Sequence, residues 1–281
     1  MDKKILKAWL EAGYIDRGVL YATVADTPQG GIASPSLANM TLDGLEPAIK
    51  MRAPETAKVH VIRHADDFIV TGDSKEILQE KVMPAIRNFL QERGLNLSAE
   101  KTKITLIEDG FDFLGQNLRK YGDKLIITPS KSSVKAIIAK SREIIKANLG
   151  RTTWKMIQEL NSAIRGWANY HRHVCSKRIF AYVDCCIFNN LWRWLRRRHP
   201  NKRVEWIRKR YFRTVGSRNW VFFASHPTEA GDSRFLDLLC TNTIKIVRHV
   251  KIKTEANPYD KDWQQYFTRR QASKHTAPAL V

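Results

Sequence analysis

Val59–Val70, VHVIRHADDFIV, constrains this chain more than any other stretch, because two apolar runs meet there at adjacent carboxylates, Asp66 and Asp67. Val59 and Val61 alternate before the acids, and Phe68, Ile69 and Val70 follow them. That pattern predicts two strands with His64–Asp67 at or beside their turn. Two carboxylates held side by side on a hairpin suit Mg²⁺, a hard ion that takes oxygen ligands and orients phosphates for transfer. Taken alone, the pair is better explained as a solvated acidic turn. The surrounding sequence has to decide.

Charge is the first context. The formal net charge is +20, and it is unevenly placed: residues 1–115 hold 14 Lys+Arg and 17 Asp+Glu, while residues 116–281 hold the other 34 and 11. A mildly acidic first part followed by a very basic second part predicts a site on one side and a grip on a polyanion on the other. Leu191–Arg218 concentrates the positive charge, with eleven Lys+Arg against Glu205 alone and with Trp192, Trp194, Trp206, Tyr211 and Phe212 among them. Such density with interleaved aromatics favours RNA over a solvated face. Arg165, Arg196, Arg197, Arg198, Lys202, Arg203, Arg208, Lys209 and Arg210 are the candidates for RNA contact, while Trp154, Trp167 and Trp194 fall on apolar stripes and read as core.

A membrane surface is the competing partner, but the basic segments lack a clean amphipathic surface helix. No apolar run approaches the roughly 20 residues needed to cross a bilayer. The N-terminus, MDKKILKAWLEAGYID, reads as an amphipathic helix rather than a signal peptide. Cys175, Cys185, Cys186 and Cys240 form no CxxC pair, so neither a disulfide scaffold nor a zinc ribbon is expected, and a cytoplasmic location is the default.

Along the chain, Gly30-Gly31 make a loop whose backbone admits close approach of a ligand. Ser34-Pro35 open a helix through Leu37, Thr41, Leu42 and Leu45 that Pro47 is expected to end. Ile77, Leu78, Val82, Ile86, Phe89 and Leu90 repeat at helical spacing, Pro84 marks a kink or a late start, and Gly94 is a natural C-cap. Ile104 and Leu106 predict a strand, and the stretch after Phe111 a hairpin turning around Tyr121–Asp123. From about Ser132 the period becomes helical in three runs, around Val134–Leu149, Trp154–Trp167 and Phe180–Trp194, whose short connections predict an antiparallel bundle. The polar tail from Pro258 is expected to fray.

Read in order, TPQGGIASPSLANMTLDGLE, RHADDFIVTGDS, ERGLNLSAEKTKI and FDFLGQNL resemble successive reverse-transcriptase motifs. ELNSAIRGWANYHRHV, with the basic helical region after it, is similar to the thumb or maturase domain of group II intron-encoded proteins. The resemblance covers about residues 1–225. It implies an α+β fold: a partial reverse-transcriptase palm of mixed or antiparallel sheet with helices over 1–130, then an α-helical thumb/maturase (X) domain over 131–225. Residues 226–281 would be a basic, DNA- or RNA-binding extension.

The resemblance also implies roles. Asp66 and Asp67 match the catalytic pair that holds Mg²⁺, and Lys101 the residue that neutralises leaving pyrophosphate. Gln29 and Gly30 match the loop that contacts template and nucleotide, and Phe113, Leu114 and Gly115 the turn that supports the primer end. His64 stands where the family has Tyr, at the position that helps to seat the nucleotide. A third carboxylate on an earlier strand completes the family's two-metal site. The chain is expected to start beyond the finger region and that strand, since the only upstream acids are Asp2, Glu11, Asp16 and Asp26 and none has an apolar strand setting. The HNH endonuclease module of many relatives is expected to be absent too, with His171, His173 and Cys175 on a helix surface rather than replacing it.

The implied function is binding of structured intron RNA and assistance to its splicing, without polymerisation by this chain alone. One alternative is a Mg²⁺-dependent RNA-directed DNA polymerase, acting on a DNA target and primer and completed by a separate N-terminal part. The other is an inactive remnant.

Overall fold

The computed structural model describes residues 3–16, 18–21, 34–148, 152–227, 233–248, 250–253 and 255–276. The architecture is α+β with antiparallel sheets, in two compact units, Met1–Ile104 and Thr105–Val281.

The first unit opens with helix α1 (Lys3–Glu11) and a hairpin of β1 (Tyr14–Asp16) and β2 (Val19–Tyr21). Helices α2 (Ser34–Thr41) and α3 (Leu45–Arg52) follow, broken from one another at Gly44, whose φ is 87°. Pro47 does not end a helix. It lies in the first turn of α3, where a backbone N–H would have no partner in the helix and proline removes nothing.

Strands β3 (His60–His64) and β4 (Asp67–Thr71) form the expected hairpin, in continuous register from His60↔Thr71 to His64↔Asp67. The next helical run has three parts: α4 (Lys75–Ile77), a π-helical stretch Leu78–Val82 and α5 (Met83–Gln91). Pro84 explains the widened turn, because it offers no N–H to the carbonyl four residues back. Gly94, with φ 70°, closes the run: its N–H donates to Gln91 and that of Leu95 to Leu90. Leu42, Leu45, Ile49, Val82, Ile86, Phe89 and Leu90 form this unit's core, against which Val61, Phe68 and Val70 of the hairpin pack half-buried.

Ile104 and Leu106 form no strand. Leu106 remains 66% exposed, so alternation there buries nothing and gives a ladder no packing support.

In the second unit β5 (Phe111–Phe113), β6 (Gln116–Tyr121) and β7 (Lys124–Pro129) make one antiparallel sheet, its second turn falling at Gly122-Asp123 as expected. Three long helices follow: α6 (Lys131–Ala147), α7 (Thr153–His171) and α8 (Lys177–Arg198). Ser130 caps α6 by accepting the Ser133 N–H. Met156, Ile157, Leu160, Ile164, Val183, Ile187, Leu191 and Leu195 are fully buried between the helices.

After the short helix α9 (Val204–Tyr211) the chain turns to β8 (Phe212–Val215), β9 (Arg218–Pro227) and β10 (Ser233–Asp237), a sheet with β9 central. It spans the expected boundary at 225/226. Phe222 and Ala224 press one face of it onto the helical core, and Asn161 of α7 bonds both the Asp237 carbonyl and the Leu239 N–H. Helix α10 (Gln264–Thr276) forms where polar composition predicts fraying. The turn before it is capped by Asp260, and Lys253 lies over Trp263 and Tyr266.

Candidate functional site

The acidic turn is built from a two-residue hairpin loop, Ala65-Asp66, closed by the His64↔Asp67 pair. Ala65 takes φ 55°, a left-handed conformation that costs a non-glycine residue about 1 kcal/mol or more. Arg63 holds the loop in that shape, its Nη1 donating to the Ala65 carbonyl at 3.1 Å and to Asn39 Oδ1 of α2 at 2.8 Å. Asp66, Asp67 and His64 are exposed, and neither carboxylate accepts a hydrogen bond from a described residue. Lys101 is exposed in the turn beyond α5. Gln29 and Gly30 lie outside the described residues.

Phe113, Leu114 and Gly115 sit in the second unit, at the turn between β5 and β6. Leu114 (φ 48°) and Gly115 (φ 71°) both take the left-handed conformation that a two-residue hairpin loop demands. Tyr170 of α7 donates to the Leu114 carbonyl at 2.7 Å, and the Gly115 carbonyl accepts from Ser130 at 2.9 Å. Gln116 meets His173 at 3.0 Å, and the Cys175 N–H reaches Ile127 of β7. These bonds join the β5–β7 sheet to the helices, which is why it belongs to the second compact unit.

His171 is not on a helix surface. It is 1% exposed, with Nε2 on Ser133 Oγ at 3.0 Å and Trp167 Nε1 donating to the same oxygen. Burial, then the charge of His173, lowers its pKa to about 4. Among the described residues no cluster of three His, Cys, Asp or Glu is placed to hold a metal ion.

The basic surface lies on α8, α9 and the loop between them. Arg196, Arg197, Lys202, Arg203, Arg208, Lys209 and Arg210 are exposed, Arg198 is half-buried, and Arg165 is exposed on α7. The same helices bury Leu191, Leu195 and Ile207, so one face packs and the other presents cations. His199 bonds the Tyr211 hydroxyl at 2.7 Å, and burial together with Arg198, Lys202 and Arg210 lowers its pKa. Trp194 is core; Trp154 and Trp167 are half-buried against it.

Residues 1–118 match the family reverse transcriptase (RNA-dependent DNA polymerase), and residues 134–212 match the group II intron, maturase-specific domain. The two matches, in this order, are what the chain shares with group II intron-encoded reverse transcriptases. It is 27% identical over 152 residues to protein YkfC of Escherichia coli K12, covering 42% of this chain and 40% of that protein. It is 24% identical over 267 residues to an uncharacterized 91 kDa protein in the cob intron of Schizosaccharomyces pombe, covering 66% of this chain and 33% of that one. The chain thus spans well under half the length of these relatives.

Reverse transcriptases are in general Mg²⁺-dependent, and the acidic turn of this chain fits such an ion in part. Its carboxylate oxygens are hard donors, exposed and without a hydrogen-bond partner among the described residues, but two carboxylates alone do not fill the six positions of octahedral Mg²⁺. Of the upstream acids, Glu11 pairs with Lys7 at 3.7 Å and Asp16 ends β1, while Asp2 and Asp26 lie outside the described residues. The spacing of residues does not reveal that Asn39 meets Arg63 or that Tyr170 meets the Leu114 carbonyl, since each pair is brought near by folding. No helix among the described residues is long and apolar enough to cross a membrane.

Proposed function

We propose that this chain binds structured group II intron RNA through the exposed cations of α8 and α9 and favours the splicing-competent RNA fold. One observation carries the reading: the maturase-specific stretch coincides with helices whose inner face is a packed core, and the exposed face from the end of α8 through α9 carries Arg193, Arg196, Arg197, Lys202, Arg203, Arg208, Lys209 and Arg210 against Glu205 as its one acid. Arginine forks and lysines would contact phosphates and 2′-hydroxyls, which position RNA without reading its sequence. The functional segments proposed are a palm to about residue 130, a thumb/maturase segment over 131–225 and a basic extension over 226–281. The four free cysteines suit a reducing cytoplasm.

RNA binding measured over a salt series, with splicing of a group II intron RNA in the same samples, tests this. Affinity should fall steeply with salt. Replacing Arg196, Arg197 and Arg203 together by Ala should cut it at least tenfold, flatten the slope by roughly 0.7–0.9 for each phosphate no longer neutralised, and abolish any acceleration of splicing. Salt-insensitive binding, or a triple variant that binds like the parent, would overturn the reading.

A second reading, RNA-directed DNA polymerisation, is favoured by the strained and exposed Asp66–Asp67 turn. There the two carboxylates would contribute ligands to Mg²⁺, which supplies charge stabilisation in phosphoryl transfer. Lys101 would offset charge on the leaving pyrophosphate, and Gln29, Gly30, His64 and Phe113–Gly115 would seat template, nucleotide and primer. The missing ligands would come from residues outside the described ones or from a separate N-terminal part. Primer extension on an RNA template that Asp67→Ala abolishes, with RNA affinity unchanged, is its signature.

A further inference from the structure

Beyond the helices, the start of the β8–β9 ladder is irregular in a way that builds a cavity. Arg213 pairs with Val221 and Val215 with Arg218, so Thr214 alone stands opposite Asn219 and Trp220. Such a bulge re-aims a side chain. Trp220 takes φ 61°, an outlier for a bulky residue, and the residue remains 39% exposed. The ring is braced from within by Phe212, Trp192 and Phe188, with centroids 5.6, 6.1 and 6.4 Å away. Arg208 of α9 lies 4.8 Å from its centroid.

Beside this ring opens a cavity of about 330 Å³, lined also by Glu205, Lys209, Thr214 and Asn219. Arg213 at its wall is committed to Asp237, with Nε and Nη2 donating at 2.7 and 2.6 Å. Arg208 and Lys209 have no ion pair among the described residues. Thr214 donates to Asn219 Oδ1 at 2.9 Å, which leaves the Asn219 amide its N–H donors, while Glu205 supplies an acceptor. The cavity therefore combines an aromatic face, two cations for phosphate, and polar groups of both kinds.

We propose that this cavity takes an unpaired RNA base, stacked on the Trp220–Arg208 pair, with the flanking phosphates on Arg208 and Lys209. Any base has a π-face, so stacking of this kind is tolerant of sequence and demands only an unpaired nucleotide. A duplex has no base to offer. The cavity lies across the end of the maturase-specific match at residue 212, and Trp220 is beyond it. The inference rests on the RNA-binding reading and adds to it a preference for loops, bulges or single strands.

The test compares, at one salt concentration, binding of the full chain to three probes of equal length: an unstructured RNA, an abasic strand and a blunt RNA duplex. The parent should prefer the base-bearing strand to the abasic one. Trp220→Ala should cost about tenfold on the base-bearing strand and little on the other two, whereas Trp220→Phe should restore most of the loss. Arg208→Ala should weaken all three. Equal parent affinity for base-bearing and abasic strands overturns the proposal without needing any variant to fold. So does a Trp220→Ala loss shared by all probes. Failure to bind any RNA sinks the broader reading with it, while strong binding of structured RNA without base dependence sinks the cavity alone.

Discussion

The two compact units hold their candidate sites in opposite ways. The first carries 14 Lys+Arg and 14 Asp+Glu, and its site is a pair of carboxylates on an exposed two-residue turn. The second carries the remaining 34 and 14, so the whole positive excess of the chain lies there, spread over helices with a deep core. Yet both place a non-glycine residue at positive φ beside the groups of interest, Ala65 next to Asp66 and Trp220 next to the basic cavity. In the first unit an arginine clamp imposes the strain; in the second, aromatic packing does. A chemical site needs its carboxylates at a set spacing, whereas a polyanion grip needs many cations on a stiff platform.

The largest effect should come from opening that platform. Phe180 is fully buried, 5.5 Å from the Trp167 ring, and Phe180→Ala should cost about 3–5 kcal/mol in a urea titration. RNA affinity should then be lost near the new midpoint, while Ile62→Ala on the 55% exposed side of the acidic hairpin should move stability by no more than about 0.5 kcal/mol. Similar costs at the two sites would break the contrast between a deep core and a lightly covered hairpin.

Acid should come next. Folded His171 resists protonation until about pH 4, whereas an unfolded histidine protonates near 6.5. Between those values the unfolded chain binds the extra proton. Stability should therefore hold above pH 6.5 and fall by roughly 2–4 kcal/mol as pH drops to 4. His199, also lowered, adds a loss of the same sign. Urea midpoints at pH 7.5 and 4.5 for the parent and His171→Gln isolate the buried residue. A variant as acid-sensitive as the parent would remove His171 as the cause.

The smallest effect sharpens the comparison of strain. Ala65→Gly should stabilise by up to about 1 kcal/mol, because glycine accepts the left-handed turn freely. Trp220→Gly should not, since the packing of its ring on Phe188, Trp192 and Phe212 outweighs relief of its φ. Melting curves read both. A gain at Trp220 and none at Ala65 would reverse the assignment of where strain is held.

What was legible in the sequence was local. Period-two alternation specified β3 and β4 and put Asp66 and Asp67 at their turn, since strand and turn depend on neighbours in the chain. Helical spacing likewise specified α6, α7 and α8, and charge density marked the end of α8 and α9 as the most basic part of the chain. Pro47 and the polar tail misled because proline is compatible with a helix's first turn and because α10 draws on aromatic contacts outside its own stripe. Only the tertiary structure decided that β8–β10 form a sheet, pairing Phe223 with Asp237, and that His171 is buried against Ser133, 38 residues away. It also decided that the Phe113–Gly115 turn is bonded to α7 and that Trp220 stands over a cavity. Each of these depends on groups distant in the chain whose pairing becomes favourable only once both have left water together.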